Sequence, residues 1–344
     1  MVRTSTASTK SGKAAPVRNR KPAKAVKHLV IDAGNGNTKV SIGGESEVIP
    51  SILSEIDGDF IRGGFKLNEQ SYVMGWENIN RTDAIVIADK DTGKLDYLHL
   101  LLAGALSSMR HAIEPGDTIA AHVMTLNTSR KDLITKAVEQ LSEDFRIDGE
   151  EMKLKTKLAG IYPEGYGASL YAGSVFNGHR RIAVLDMGNG TLNLSQYHQS
   201  LTGLPRRESF AFVPFGMHSL IENISNLLCA ETSNGRVDEA LIRQALDNNS
   251  YQYLSNYEGV NIWNHAEKAV TVWSEQTKVK QLLVQCIRLI GANVPVVLVG
   301  GGFAAHVMQQ KVQDILGSQG RKELIHVAES PVTVGVDGLA KTFV

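Results

Sequence analysis

The chain has 344 residues, 42% of them hydrophobic and 21% charged, a balance typical of a globular protein with room for two domains. No apolar run approaches the roughly 20 residues of a membrane-spanning helix, and Cys229 and Cys286 show no metal-ligand spacing and read as small buried hydrophobes of a reducing compartment. The 36 basic and 36 acidic groups cancel only formally: Met1–Lys27 carries eight basic residues and no acid, which leaves 28 basic against 36 acidic residues beyond it.

That leader lacks the apolar core of a secretory signal, and its Ser, Thr, Ala and Lys cannot bury enough surface to fold. Residues 1–27 are expected to be a disordered basic tail able to touch DNA, an anionic membrane or an acidic adaptor. His28–Ile31 then reads as a strand, returning through Thr38–Ile42 after a Gly-Asn turn. Val48–Ile49, Ile52–Leu53, Phe60–Arg62 and Ser71–Met74 continue as short, mostly antiparallel strands. A long apolar helix is expected from Leu95 to Ile113, stopped by Pro115-Gly116.

Thr118–Leu126 is the next strand. It precedes a helix opened by a Ser129/Asp132 capping box, with Leu133, Ile134, Ala137, Val138 and Leu141 on one face. Strand Met152–Leu158 leads through Pro163-Glu164 into a small-residue helix, Ala168–Phe176. Beyond Asn177-Gly178 the strand Ile182–Leu185 opens a second hairpin. Phe210–Val213 is a strand, followed by Gly216 and helix Met217–Leu228. Helices are expected at Val237–Asn248 and, as one long element, at Trp263–Ile290, where Trp263 and Trp273 serve packing. The buried strand Pro295–Val299 runs into Gly300-Gly301-Gly302, then helix Phe303–Leu316 with Gly317 as its cap, strand Leu324–Val327 and helix Thr333–Thr342. The alternation of strands and helices makes the chain α/β.

Two turns share one grammar. Asp32-Ala33-Gly34-Asn35-Gly36 and Asp186-Met187-Gly188-Asn189-Gly190 each follow an apolar strand, 154 positions apart. Glycines let backbone N–H groups approach an anion closely. An aspartate at each strand end can face a hydrated Mg²⁺, which takes few carboxylates and keeps water and phosphate oxygens. Lys39 can reach a phosphate as a point charge. The third glycine turn, at Gly300, suits close packing against a base or sugar. No G-x-x-x-x-G-K-[ST] occurs, so a P-loop is excluded.

With these motifs in this order, residues 28–344 resemble the actin superfamily, which includes sugar kinases and chaperone ATPases. Asp32–Lys39 matches its phosphate-1 motif, Asp186–Thr191 its phosphate-2 motif, and Val297–Ala305 its adenosine motif. Pro163-Glu164 and Ser330–Phe343 match the two connecting segments. The 317 residues after the tail, the hairpins of 48–76, and a Pro-Glu pair 22 residues before Asp186 are most similar to the bacterial actin-like ParM group.

The resemblance implies an actin-like (ribonuclease H-like) two-lobed fold with a nucleotide cleft. Lobe I would be 28–178, completed by a helix at 330–344, and lobe II 179–329. It implies that Asp32 and Asp186 hold Mg²⁺, that Glu164 orients the attacking water, and that ATP (alternatively GTP) is bound by Gly34, Asn35, Gly36, Asn37, Thr38 and Lys39. Gly188, Asn189, Gly190, Thr191 and Gly216 would complete the phosphate site, with Gly300, Gly301, Gly302 and Phe303 along the adenosine. Asn193 departs from the family, whose members often carry Asp there. Glu267 and Lys268 are the candidates for the ribose.

The function so implied is an ATP-hydrolysing protein of the bacterial cytoplasm that polymerises into dynamic filaments. Its use would be plasmid or chromosome segregation through a small DNA-binding adaptor, or a cortical cytoskeleton linked to the membrane. The rivals are a small-molecule kinase or phosphatase of the same superfamily and a non-polymerising ATPase scaffold.

Overall fold

The computed structural model describes residues 25–58, 62–75, 78, 81, 83–87, 93–200, 204–231, 237–255 and 258–343. The basic tail therefore lies outside the described residues up to 24, while Val26 and Lys27 already belong to the first strand. Of the strand expected at 60–62, residues 60 and 61 also lie outside, and Arg62 sits in a turn.

The chain opens as a meander of β1 (Val26–Ala33), β2 (Asn37–Ile42) and β3 (Glu45–Pro50). Next come β4 (Ile52–Ile56), β5 (Phe65–Leu67), β6 (Gln70–Met74) and β7 (Ile85–Val86). A 3₁₀ turn at Gly93–Leu95 precedes α1 (Leu98–Ser108). Then follow β8 (Thr118–Thr125), α2 (Lys131–Glu139), β9 (Phe145–Ile147), β10 (Glu150–Glu151), β11 (Lys155–Pro163) and α3 (Tyr166–Val175).

The second half repeats the plan. It begins with β12 (Arg181–Met187), β13 (Leu192–His198) and β14 (Arg206–Val213), then α4 (Met217–Glu231) and α5 (Glu239–Asp247). A small hairpin, β15 (Gln252–Ser255) and β16 (Glu258–Asn261), leads to α6 (Trp263–Glu275) and α7 (Thr277–Gly291). Last are β17 (Val296–Val299), α8 (His306–Leu316), β18 (Ile325–Val327) and α9 (Val334–Ala340).

Two five-stranded sheets have the same order, β3-β2-β1-β8-β11 and β14-β13-β12-β17-β18. In each, an antiparallel hairpin is extended by two parallel strands, with β1 parallel to β8 and β12 parallel to β17. A third sheet, β10-β9-β5-β6-β4-β7, gathers the short strands of the first half. Side chains alternate across the strands. Leu29, Ile31 and Ala33 face one core with α1 and α2, while Val30 faces α3 and α9. Correspondingly, Ala183, Leu185 and Met187 face the core of α4–α8, and Val184 joins Val30 against α3 and α9. The helices α3 and α9 thus lie between the two sheets. Their crossing is so tight that a Cβ on Gly167 would fall 1.7 Å from the Gly335 carbonyl oxygen.

Several local expectations are corrected. The helix at Trp263–Ile290 is two helices, broken where Gln276 turns to ψ 130°. Ser129 caps nothing: its hydroxyl donates to Asn127 Oδ1, and α2 starts after Arg130 with no side-chain cap. Gly317 does cap α8, its N–H donating to the Gln313 and Ile315 carbonyls, but it stays right-handed and begins a 3₁₀ turn that ends on the left-handed Gly320. Trp273 is fully buried, its indole N–H donating to the Phe215 carbonyl, and Trp263 packs edge-on against Tyr251. Among the described residues no helix is long and apolar enough to cross a membrane.

Candidate functional site

The β1–β2 and β12–β13 turns meet. A Cβ on Gly36 would lie 2.7 Å from Asn189 Cβ, so the two glycine-asparagine turns touch across a cleft of about 140 Å³. Its walls include Asp32, Gly34, Asn35, Gly36, Asn37 and Lys39 from the first turn. Asp186, Gly188, Asn189, Gly190, Thr191 and Asn193 come from the second, and Glu164 and Gly301 complete that group.

Each turn is braced from behind. Ser51 donates its hydroxyl to the Gly34 carbonyl at 2.7 Å and its N–H to the Gly36 carbonyl at 3.0 Å. Thr38, expected to face the phosphates, is fully buried and hydrogen-bonded to Ser51 instead. In the second turn the Gly188 N–H bonds the Thr191 carbonyl, and the first amides of α4, Met217 and His218, donate to the carbonyls of Gly188 and Asn189. Gly216 lies beneath this turn rather than in the cleft; a Cβ there would stand 2.5 Å from the Asn189 oxygen.

Glu164 lies in the turn between β11 and α3, whose N-cap Gly165 is left-handed at φ 80°. Its amide donates to the Thr125 carbonyl at 3.3 Å, and Tyr197 donates its hydroxyl to the Glu164 carbonyl at 3.0 Å. The carboxylate accepts a bond from Lys94, which lies on the 3₁₀ turn before α1.

The charges in the cleft are strongly coupled. Lys39 Nζ lies 2.9 Å from Asp32 Oδ2. Burial works to raise the Asp32 carboxyl, but Lys39 and Lys94 outweigh it and hold it below the usual carboxylate range. Burial opposes the charge on Lys39, and Asp32 with Asp186 overcomes it, so its ammonium is held above the normal range. Asp186 goes the other way: burial pushes its carboxyl up to about 7, Lys39 pulls it down, and Asp32 and Glu164 add to the rise. Lys94 is also raised, because Glu164 and Asp32 overcome the cost of burial.

The third glycine turn abuts Asp186. Gly300 sits at φ +94°, and a Cβ there would lie 2.2 Å from Asp186 Oδ1, so only glycine fits. Gly301 reaches the cleft, but Gly302 packs on Met187 and the Phe303 side chain is fully buried in the α4–α8 core. Phe303 is therefore not a stacking surface. Glu267 and Lys268 line a separate groove with Gln310 and Lys311, away from this cleft. Arg243 of α5 does border the cleft; it donates to Asn189 Oδ1 at 2.9 Å and pairs with Asp247 at 2.8 Å. Sequence reading missed both Lys94 and Arg243, since neither stands in a motif.

Asn193 lies opposite Asp186 in the β12–β13 register, and its Oδ1 is buried with no hydrogen-bond partner among the described residues. Two aspartates and this unpartnered acceptor are a donor set that fits a hydrated Mg²⁺, which needs few direct carboxylates. No cluster of three or more acidic, His or Cys side chains that would grip a metal directly occurs among the described residues.

Residues 30–167 match the family model described as the actin-like proteins N-terminal domain. This chain has the actin-like fold. A 15-stranded ParM filament from Clostridium botulinum matches with a TM-score of 0.69 at 15% identity, covering 93% of this chain and 100% of that one. The archaeal actin homolog Ta0583 in complex with ADP gives 0.64 at 18% identity over 92% and 99% of the two chains. The MamK double helical filament gives 0.65 at 14% over 93% and 99%. None of the curated proteins compared matches the chain.

Proposed function

We propose that this actin-like chain binds ATP with Mg²⁺ between its two glycine turns, hydrolyses it, and couples the hydrolysis to assembly and disassembly of filaments. One observation carries the reading: two phosphate-type turns meet with a half-buried aspartate behind each and Glu164 in the turn after β11. The similar structures support it, since two of them are filaments and one holds ADP.

In this reading the amides of Gly34–Asn37 and Gly188–Thr191 cradle the β- and γ-phosphates, and Lys39 adds a fixed charge. Asp32, Asp186 and Asn193 face the hydrated Mg²⁺, which supplies charge neutralisation of the phosphates. Glu164 orients a water on the γ-phosphorus and takes its proton as the new P–O bond forms. The bond to the β-phosphate oxygen breaks, and ADP and inorganic phosphate leave. Gly301 and Arg243 lie along the nucleoside. Lobe I is 28–178 completed by the C-terminal segment that carries α9, and lobe II is 179–329, so α3 and α9 sit where one lobe swings on the other.

The biological role that fits is segregation of plasmid or chromosomal DNA, or a cortical cytoskeleton, in the cytoplasm of a bacterial cell, through a small adaptor. GTP replaces ATP in the alternative form of the same reading. The decisive test is phosphate release by purified protein with Mg-ATP. Wild type is expected to release phosphate and Glu164→Ala to do so at least about 100-fold more slowly while still binding nucleotide. Equal turnover by the two proteins would remove Glu164 from this role.

A further inference from the structure

We propose that Lys94 distinguishes a triphosphate from a diphosphate in this cleft by exchanging its bond to Glu164 for one to the terminal phosphate. This rests on the nucleotide reading above and adds a residue to it. Lys94 and Glu164 are bonded to each other, with side chains only 16% and 14% exposed. They lie 70 positions apart in sequence and reach the same cleft.

The cleft holds two lysines with different attachments. Lys39 is fixed on β2, directly across the register from Asp32. Lys94 lies on a single 3₁₀ turn and holds Glu164. A lysine ammonium is a compact point charge on a flexible stem, suited to changing partners.

While Lys94 holds Glu164, the carboxylate oxygen that bonds it has less capacity for a water. A terminal phosphate carries more negative charge than one carboxylate and competes for the same ammonium. Its arrival draws Lys94 away and leaves Glu164 free to accept from the attacking water. A diphosphate brings no such competitor, so the pair persists and the carboxylate stays masked. Lys94 thereby ties readiness for hydrolysis to the presence of the group to be cleaved. A lysine that only neutralised the surrounding acids would affect both nucleotides alike.

The test is an equilibrium titration of wild type and variants with fluorescent ADP and with a non-hydrolysable ATP analogue, both with Mg²⁺. Lys94→Ala should weaken the analogue about 10-fold or more and ADP by less than about 2-fold, with Lys94→Arg recovering most of the loss. Glu164→Gln, which removes the competing charge, should tighten the analogue several-fold and leave ADP unchanged. Equal weakening of both nucleotides in Lys94→Ala, or no weakening, overturns the proposal while the nucleotide site stands. Should Lys94→Ala fail to fold, Glu164→Gln decides, and an unchanged analogue affinity overturns the exchange. A wild type that binds neither nucleotide overturns the nucleotide reading itself, and Lys94's role with it.

Discussion

Asn193 stands in the second hairpin where Lys39 stands in the first. Lys39 pairs with Asp32 in the β1–β2 register and Asn193 with Asp186 in the β12–β13 register. The two halves therefore offer the same backbone with different charge. Asp32 has a cation 2.9 Å away and stays ionised easily; Asp186 has a neutral amide and its carboxyl is pushed up to about 7 by burial. The asymmetry places the lysine charge on one side of the cleft and the unpartnered acceptor on the other.

Asn193→Asp should expose that asymmetry. A second carboxylate opposite Asp186 adds like-charge repulsion in a buried place. The thermal midpoint in chelator at pH 8 should fall by several degrees, on the order of 1–2 kcal/mol, and excess Mg²⁺ should restore most of it. Thermal melts with and without Mg²⁺ check this. An unchanged midpoint in chelator would place residue 193 away from the Asp186 charge.

The tight crossing of α3 and α9 gives a packing prediction. A methyl on Gly167 would meet the Gly335 carbonyl oxygen at 1.7 Å, and one on Gly338 the Gly167 oxygen at 2.1 Å. Both contacts are backbone, which cannot swing aside. Gly167→Ala should cost about 1–3 kcal/mol or more by overpacking, read as a lower urea midpoint. A stability equal to wild type would mean that the helices are free to separate.

A third prediction concerns pH. His122 lies on β8 beneath Phe343, with ring centroids 3.8 Å apart, 3.0 Å from His28 Nδ1 and within reach of the Tyr162 hydroxyl. Burial, reinforced by His28, lowers its pKa to about 4. An imidazole whose folded value is depressed contributes stability above its unfolded value, about 6.5. That contribution is lost as pH falls from about 6.5 to 4. Urea unfolding at pH 7 and 4.5 should show this loss in wild type and a smaller one in His122→Gln. Equal losses in both would assign the acid sensitivity elsewhere.

Much of this was readable because it is local. Asp32–Gly36 and Asp186–Gly190 announce their turns through glycine, asparagine and flanking apolar alternation, and the three glycines after Val299 mark a close approach. The cleft's other members are not local. Lys94 and Arg243 reach it only because sheet pairing and helix packing bring α1's leading turn and α5 to the hairpins. Phe303 follows the glycine motif, yet a large apolar ring gains more in the core than at a polar cleft. The break at Gln276 carries no Gly or Pro, and the Ser129 hydroxyl found a nearer partner in Asn127 than the helix amides.

The central claim is that nucleotide in this cleft drives assembly, and sedimentation of the full chain tests it most directly. The protein should pellet as polymer across a concentration series with Mg-ATP and stay in the supernatant with Mg-ADP or without nucleotide. Absence of polymer at every concentration and with either ATP or GTP would contradict the account.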